Sequence, residues 1–445
     1  MNDVNPAAIE HTDAMEFDSV LLKTDLLPDK KIELKDVVTH IDIFEHLEKA
    51  YLTAILGLSD SEDILSSAYI SGGEKIKITL KSTRLDTTTV SKTFYIDKVV
   101  ATNKTSETAE FTVLHLIEDI GYESTLQNVN KSYSGTPIEI LKKISKDFLE
   151  NRPIESPTSK EKIEAQRIKV IVPNLTPLES MTWIRNRSCT SSGYPFYLVS
   201  TLSSEKLQFV DLETLLTLPS WNDKPFTYGI SMKDRSNPLD TSHRRVILDY
   251  NVNNNENLLS LIKQGLVGSE YKFINPTKNE ENSFTFDVQE QVIKEMPKKF
   301  PKMETSPIPE AFTLRGTGFN KYNSRVLAQV GTTNPYEEDN SYLEENDVAG
   351  YKRNAINKAL DGIIKKNSMT ILVNGTEFFS GHSHHTIGRT IAIKFLRNIP
   401  AENTDYHFDN KKSGDFLIFS AKHSMSDGEY VVALSCVKLD NGDVE

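Results

Sequence analysis

The sequence predicts an α+β protein with two similar small antiparallel β-barrel domains and helical or mixed α+β domains inserted between them. Three observations point there. Apolar runs of period two crowd both ends of the 445 residues, the pattern of half-buried antiparallel strands. The runs at the two ends match in order. The middle of the chain carries two helices opened by the same capping sequence.

Residues 1–35 read as an N-terminal arm or edge segment. The opening, MNDVNPAAIEHTDAMEF, is acidic and lacks an apolar stretch, so it is not expected to be a signal peptide. Residues 36–120 read as the first β-barrel domain. HIDIFEHL, YLTAILGL, EKIKITLKS, SKTFYIDKVVA and AEFTVLHLI are rich in Ile, Val, Thr, Phe and Tyr. Ile76, Ile78 and Leu80 point one way; Lys75, Lys77 and Thr79 point the other. SGG at 71–73 and ATNKTSET at 101–108 serve as hairpin loops.

Residues 121–225 read as an α+β domain with two capped helices and a hairpin. In Thr136-Pro137-Ile138-Glu139 the threonine oxygen can accept from the Glu139 amide and the carboxylate can reach back. Ile140, Leu141, Ile144 and Phe148 follow on one face. Thr176-Pro177-Leu178-Glu179 repeats the device and opens a helix carrying Leu178, Met181, Trp183 and Ile184. Between them lie a polar loop, NRPIESPTSKEK, and a strand, RIKVIVPN. YPFYLVST and EKLQFVDL then form a hairpin around Ser203-Ser204-Glu205. Residues 226–345 read as a mixed domain with a long polar loop. ENLLSLIKQG is a short helix closed by Gly265, and 294–345 is rich in Pro, Glu and Asn. Residues 346–445 read as a helix near Lys352–Lys366, burying Ile356, Leu360, Ile363 and Ile364, and then the second β-barrel domain. In that domain GRTIAIKFL matches EKIKITLKS, DFLIFSAKH matches TFYIDKVVA, and GEYVVALSC matches AEFTVLHLI, the signature of an internal repeat.

Sixty-three acids against 51 bases give a net charge of −12, which repels nucleic-acid phosphates in the absence of a basic patch. The densest basic run, KEMPKKFPKM at 294–303, is short and broken by proline, and reads as a solvated loop. Cys189 and Cys436 are the two cysteines; they make neither a disulfide framework nor a zinc spacing. No apolar run approaches the ~20 residues of a membrane helix. The expectation is therefore no membrane, no sequence-specific nucleic acid and no cofactor.

Chemistry is sought first in GHSHHTIGRTIAIKF, 381–395. His382, His384 and His385 at i, i+2 and i+3 can supply two metal donors at most without strain, and a site needs donors converging from several elements. A polar turn before the strand Ile387–Phe395 is expected, with no metal. The acidic runs SDSED (59–63) and YEEDNSYLEEND (336–347) lack EF-hand spacing. RSCTSSG (187–193) has nucleophile types but no G-x-S-x-G elbow, and nothing assigns Cys189 a base. Carboxylate pairs of the kind that cleave glycosides stay open, since any chain with 63 acids contains pairs. No catalytic, cofactor-binding or metal residue is assigned, and no enzyme is expected.

One segment carries a resemblance: VIVPNLTPLESMTWIRNRSCTSSGYPFYLVSTLSSEKLQFVDLETLL, 170–216, with NNENLLSLIKQGLVGSEYKFINPTK, 254–278, downstream. Its order of strand, capped helix with Trp183, hairpin and Phe209-Val210-Asp211-Leu212 resembles baseplate hub proteins of contractile-tailed, T-even-like bacteriophages. The resemblance spans about 36–440; the arm and the 294–345 stretch depart from it. It implies a homotrimer whose paired barrels form a ring of six near-equivalent units, joining a six-fold tail tube to a three-fold central spike and leaving a channel for DNA. Partners would be the spike protein, the tube protein and other baseplate proteins. The location would be the virion, with assembly in the host cytoplasm. A chain ending at Glu445 would take its spike as a separate partner. Two alternatives stay open: a tail-associated cell-wall hydrolase, which would need a carboxylate pair or triad in a cleft, and a carbohydrate-binding adhesin, which would show exposed aromatic clusters.

Overall fold

The computed structural model describes residues 15–24, 27, 31–61, 64–68, 70, 72–82, 89–104, 109–160, 162, 167–221, 224–228, 245–254, 259, 262–263, 265, 267–275, 279–287, 313–323, 325–330, 355–357, 359–362, 367–378, 386–396, 408–409, 412–426 and 428–439. An extended run with alternating apolar side chains has one face to bury, so each such run needs sheet neighbours and a core beneath them. The strands in chain order are β1 (Met15–Lys23), β2 (Lys31–Glu33), β3 (Val38–His46), β4 (Thr53–Asp60), β5 (Lys75–Ser82), β6 (Thr89–Lys104) and β7 (Glu110–Glu118). The middle of the chain adds β8 (Ser132–Gly135), β9 (Ile154–Glu155), β10 (Ile168–Ile171), β11 (Phe196–Thr201), β12 (Ser204–Asp211) and β13 (Phe226–Tyr228). There follow β14 (Ile247–Asn254), β15 (Gly268–Asn275), β16 (Glu280–Asp287), β17 (Thr313–Leu314), β18 (Thr317–Gly318) and β19 (Val326–Val330). The last are β20 (Asn367–Asn374), β21 (Thr390–Phe395), β22 (Gly414–Ser426) and β23 (Glu429–Lys438).

Thirteen strands form one sheet, ordered β14-β20-β23-β22-β3-β4-β7-β6-β5-β1-β2, with β21 also on β22 and β13 on β21. The fold is α+β with mainly antiparallel strands. Both ends of the chain use one ladder. The first unit runs β5-β6-β7-β4-β3 and the second runs β21-β22-β23-β20-β14. Every pairing within the two is antiparallel.

The irregularities coincide as well. β6 bulges against β7 between Ile96 and Lys98, and β22 against β23 between Ile418 and Ser420. β3 bulges against β4 between Val38 and His40, and β14 against β20 between Ile247 and Asp249. One extra residue turns every later side chain to the opposite face, so shared bulges keep the two units in phase. Aligned on these bulges, Ile41, Asp42 and Ile43 correspond to Tyr250, Asn251 and Val252. β6 carries a second bulge between Val99 and Ala101, after which Thr102 and Asn103 correspond to His423 and Ser424. The flanks differ. β1 pairs antiparallel with β5, whereas β13 pairs parallel with β21. β1 and β2 lie within the segment read as an arm or edge.

One apolar cluster runs under both units, taking Ile41, Ile43, Leu56, Ile78, Phe94 and Leu114 from the first and Ile371, Ile393, Phe416, Ile418, Val432 and Leu434 from the second. Each such side chain contributes about 1.5–3 kcal/mol when fully buried.

The inserted segments form their own layers. The helices Pro137–Phe148 and Pro177–Arg185 both open with capping boxes. Thr136 N–H donates to Glu139 and Thr176 N–H to Glu179, each at 3.0 Å. Ile140, Leu141 and Ile144 pack with Met181, Ile184 and the stacked rings of Phe196 and Phe209. The hairpin turn falls at Leu202 and Ser203, with Thr201 opposite Ser204, rather than around Ser203-Ser204-Glu205. Leu202 is buried in the main core, and that anchor fixes the turn. Gly265 has φ +77° and donates to the Ile262 carbonyl at 3.0 Å, the expected helix stop. In the helix expected near 352–366, Ala355, Ala359 and Leu360 are buried and Ile356 packs beside them. Ile363 and Ile364 lie outside the described residues.

Candidate functional site

The two β-units are joined edge to edge. β22 has thirteen residues, too many for β21 to cover. β21 takes Gly414 to Leu417 on one side of it. Farther along the strand β3 pairs antiparallel with it, from Ser420 opposite His46 to Ser426 opposite His40. On the outer face of this seam Asp42 accepts from Ser424 Oγ at 2.6 Å and pairs with Lys422 at 2.8 Å. On the inner face lie Ile41, Ile43 and Met425.

Ionisable groups also point inward there. Glu45 falls in phase with Ile41 and Ile43, and His423 in phase with Ala421 and Met425, so both are buried. His423 Nε2 lies 3.2 Å from Glu45 Oε2, and its Nδ1 lies 2.7 Å from the Tyr430 hydroxyl. Burial and the Glu45 carboxylate hold the Tyr430 phenol well above its ordinary pKa, so it keeps its proton. In the tautomer that donates Nε2–H to Glu45, Nδ1 accepts from the Tyr430 hydroxyl. The other Glu45 oxygen accepts from the Leu202 amide at the hairpin tip.

A second buried carboxylate holds the same tip from the other side. Glu118 accepts from Leu52 N–H at 2.8 Å, from Ser200 Oγ at 2.7 Å and from Lys92 Nζ at 2.8 Å. Lys92 also donates to the Ser204 carbonyl at 2.6 Å. A buried charge is tolerated only when its bonding capacity is filled, and here filling it ties the β11–β12 hairpin to both units. These groups are spent on structure.

Among the described residues, β6 and β14 keep long stretches of edge with no partner strand, and β2 and β13 also end their branches of the sheet. β5 covers β6 from Thr89 to Tyr95, and no described strand pairs with that side from Asp97 to Lys104. Asp97, Lys98, Val100, Thr102, Asn103 and Lys104 are exposed there. Among the described residues β14 pairs with β20 alone and ends the sheet order, with a single parallel bridge from Thr227 to Val246 just before it begins. Leu248, Asp249 and Asn251 are exposed, and Tyr250 and Val252 are half-buried over the main core. Unpaired backbone donors and acceptors on a strand edge are a template for another strand.

The residues weighed from sequence are only partly within the described structure. His382, His384 and His385 lie outside the described residues, as do the runs 294–303 and 336–347. Among the described residues no three His, Cys, Asp or Glu side chains converge as metal ligands, and no helix is long and apolar enough to cross a membrane. Asp60 of SDSED accepts from the Leu65 amide at 2.8 Å. Cys189 is buried in a bridge to Pro195, and Cys436 is buried in β23. A cleft of about 310 Å³ is lined by Glu48, Arg185, Asn186, Pro195, Phe196, Tyr197, Asn357 and Asp361. Its lining includes two carboxylates, Glu48 and Asp361, and the Arg185 guanidinium.

Sequence reasoning passed over Glu45, Glu118, Lys92 and His423. The signal was present: each is an ionisable residue in phase with the apolar face of its strand.

No family model matches this sequence, and no curated relative does. Solved structures do resemble it. The tail protein from Neisseria meningitidis MC58 is 12% identical, covers 96% of this chain and 96% of its own, and has a TM-score of 0.54. The 43 kDa tail protein of prophage MuSo2 from Shewanella oneidensis is 14% identical, covers 96% of this chain and 99% of its own, and has a TM-score of 0.52. Matched over 96% of its length by each of the two, this chain has the fold of these tail proteins.

Proposed function

We propose that this chain is a structural subunit of a phage-type contractile tail: a baseplate hub whose copies form a homotrimeric ring. The observation that carries the reading is the shared ladder and bulge pattern of the two β-units. Three chains then present six near-equivalent units. Such a ring meets a six-fold tail tube on one side and a three-fold central spike on the other, so the duplication acts as a symmetry adapter. Other baseplate proteins dock around it. The likeness to the two tail proteins, of matching length at both ends, supports a tail role. The charge of −12 per chain disfavours DNA adhering within the ring's channel. The subunit works in the virion, after assembly in the host cytoplasm, by docking and not by turnover.

Mass photometry of the purified chain tests this. A species of three times the 50.2 kDa chain mass is expected, with six-fold features in averaged end-on images. A monomer at every concentration, or a dimer, overturns the ring. Release of peptidoglycan fragments that stops on Glu48→Gln or Asp361→Asn would replace this reading with the cell-wall hydrolase.

A further inference from the structure

We infer that the open edge of β6, from Asp97 to Lys104, is the docking site for β14 of a second copy of this chain. The contact is an antiparallel strand pair with Thr102 opposite Val252 and Asn103 opposite Asn251. The inference rests on the ring proposed above and names the contact that closes it.

The chain already contains the template. In the second unit, the side of β22 left bare by β21 is filled by β3. In the first unit, the equivalent side of β6 left bare by β5 has no described strand on it. β3 ends the ladder of its unit and β14 ends the ladder of the other. Each unit therefore owns one acceptor edge and one donor strand. The chain itself makes one of the two resulting contacts, β22 with β3. The other pair, β6 and β14, is kept apart by six intervening strands in the sheet order, so it must be made with another molecule.

The register follows from the bulges. His423 lies opposite Ile43 and Ser424 opposite Asp42. Their counterparts are Thr102 and Val252, then Asn103 and Asn251. The faces agree with this assignment. Tyr250 and Val252 lean on the core as Ile41 and Ile43 do. Asn103 and Asn251 are exposed on the outer face, where Ser424 and Asp42 bond across the existing seam. Val100 at 42% and Leu248 at 48% exposure are the large apolar side chains that a partner would shield. Strand addition at an open edge satisfies backbone groups on both sides at once.

Directed cross-linking tests the register. The variant Asn103→Cys with Asn251→Cys places two thiols on exposed outer positions, while native Cys189 and Cys436 are buried. Mild oxidation is expected to give covalent oligomers on non-reducing gels, up to a closed trimer. Asn103→Cys with Asp249→Cys, two residues out of register, is expected to give little. As a second measurement, Asn103→Asp with Asn251→Asp should weaken assembly by up to about fivefold per contact, and Asn103→Lys with Asn251→Asp should restore it. If the native chain is a trimer on mass photometry and the in-register pair fails to cross-link, the ring closes through another surface: this inference falls and the proposed function stands. A chain that stays monomeric overturns both.

Discussion

In the first β-unit the strand that ends the ladder, β3, is covered along its outer side by β22; in the second the equivalent strand, β14, ends the sheet. The ladders agree and two bulges are shared, with one further bulge in β6, yet the buried polar groups do not agree. Lys92 and Glu118 form a buried ion pair in the first unit. Their counterparts in the second are Gly414 and Lys438. His423 and Tyr430 form a buried hydrogen bond in the second, where the first has Thr102 and Glu110. The difference teaches that the repeat fixes backbone geometry, while each unit's side chains answer to the neighbour it meets. The hairpin tip needs Glu118 and Lys92 on one side and Glu45 on the other; it makes no such demand of Gly414 or Lys438.

The strongest way to break this comparison is Lys92→Ala. It strands the Glu118 carboxylate in the interior and is expected to cost about 3–5 kcal/mol, read from the urea midpoint. Lys438→Ala, at the counterpart of Glu118, should stay within about 1 kcal/mol. Equal losses would mean that the ion pair is not what distinguishes the units.

Next come Ile43 and Val252, equivalent positions with different cover. Ile43 is fully buried in the seam, and Ile43→Ala should cost about 2–5 kcal/mol. Val252→Ala should cost less than about 1 kcal/mol in the isolated chain, rising when the protein is assembled. Thermal melts at low and high protein concentration separate the two cases.

A smaller effect sharpens the contrast at the strand ends. A Cβ on Gly375 would sit 2.4 Å from the Tyr430 ring, so Gly375→Ala should displace that ring from His423 and cost about 1–3 kcal/mol. The matching position in the first unit is Asp60, where Ala should cost about 1 kcal/mol through loss of the bond to Leu65 N–H. Smallest are the helix caps outside both units. Thr136→Ala and Thr176→Ala should each cost about 1 kcal/mol and leave the oligomeric mass unchanged; dissociation on either change would place the helical layer in the assembly contact.

Much of the fold was readable in the chain. HIDIFEHL, EKIKITLKS and GEYVVALSC announce strands because alternation is a property of adjacent residues. The order of runs at the two ends exposes the repeat. The candidate site was less readable. Glu45 in HIDIFEH breaks an apolar face, and only its partners, Leu202 and His423, explain why that is tolerated. Those partners lie 157 and 378 residues away. The turn at Leu202 was misplaced for the same reason, since a distant core decides which residue it buries.

By itself the sequence determined the elements: strand period, capping boxes, the Gly265 stop and the matching runs of the two ends. These depend on contacts within a few residues, where side-chain periodicity and backbone sterics suffice. The tertiary structure alone decided that β22 outruns β21 and takes β3 along its remainder, that two buried carboxylates pin one hairpin, and that among the described residues β6 and β14 keep edges without a partner strand. Each of those is a long-range pairing, fixed by which surfaces are still unburied after the local elements have formed.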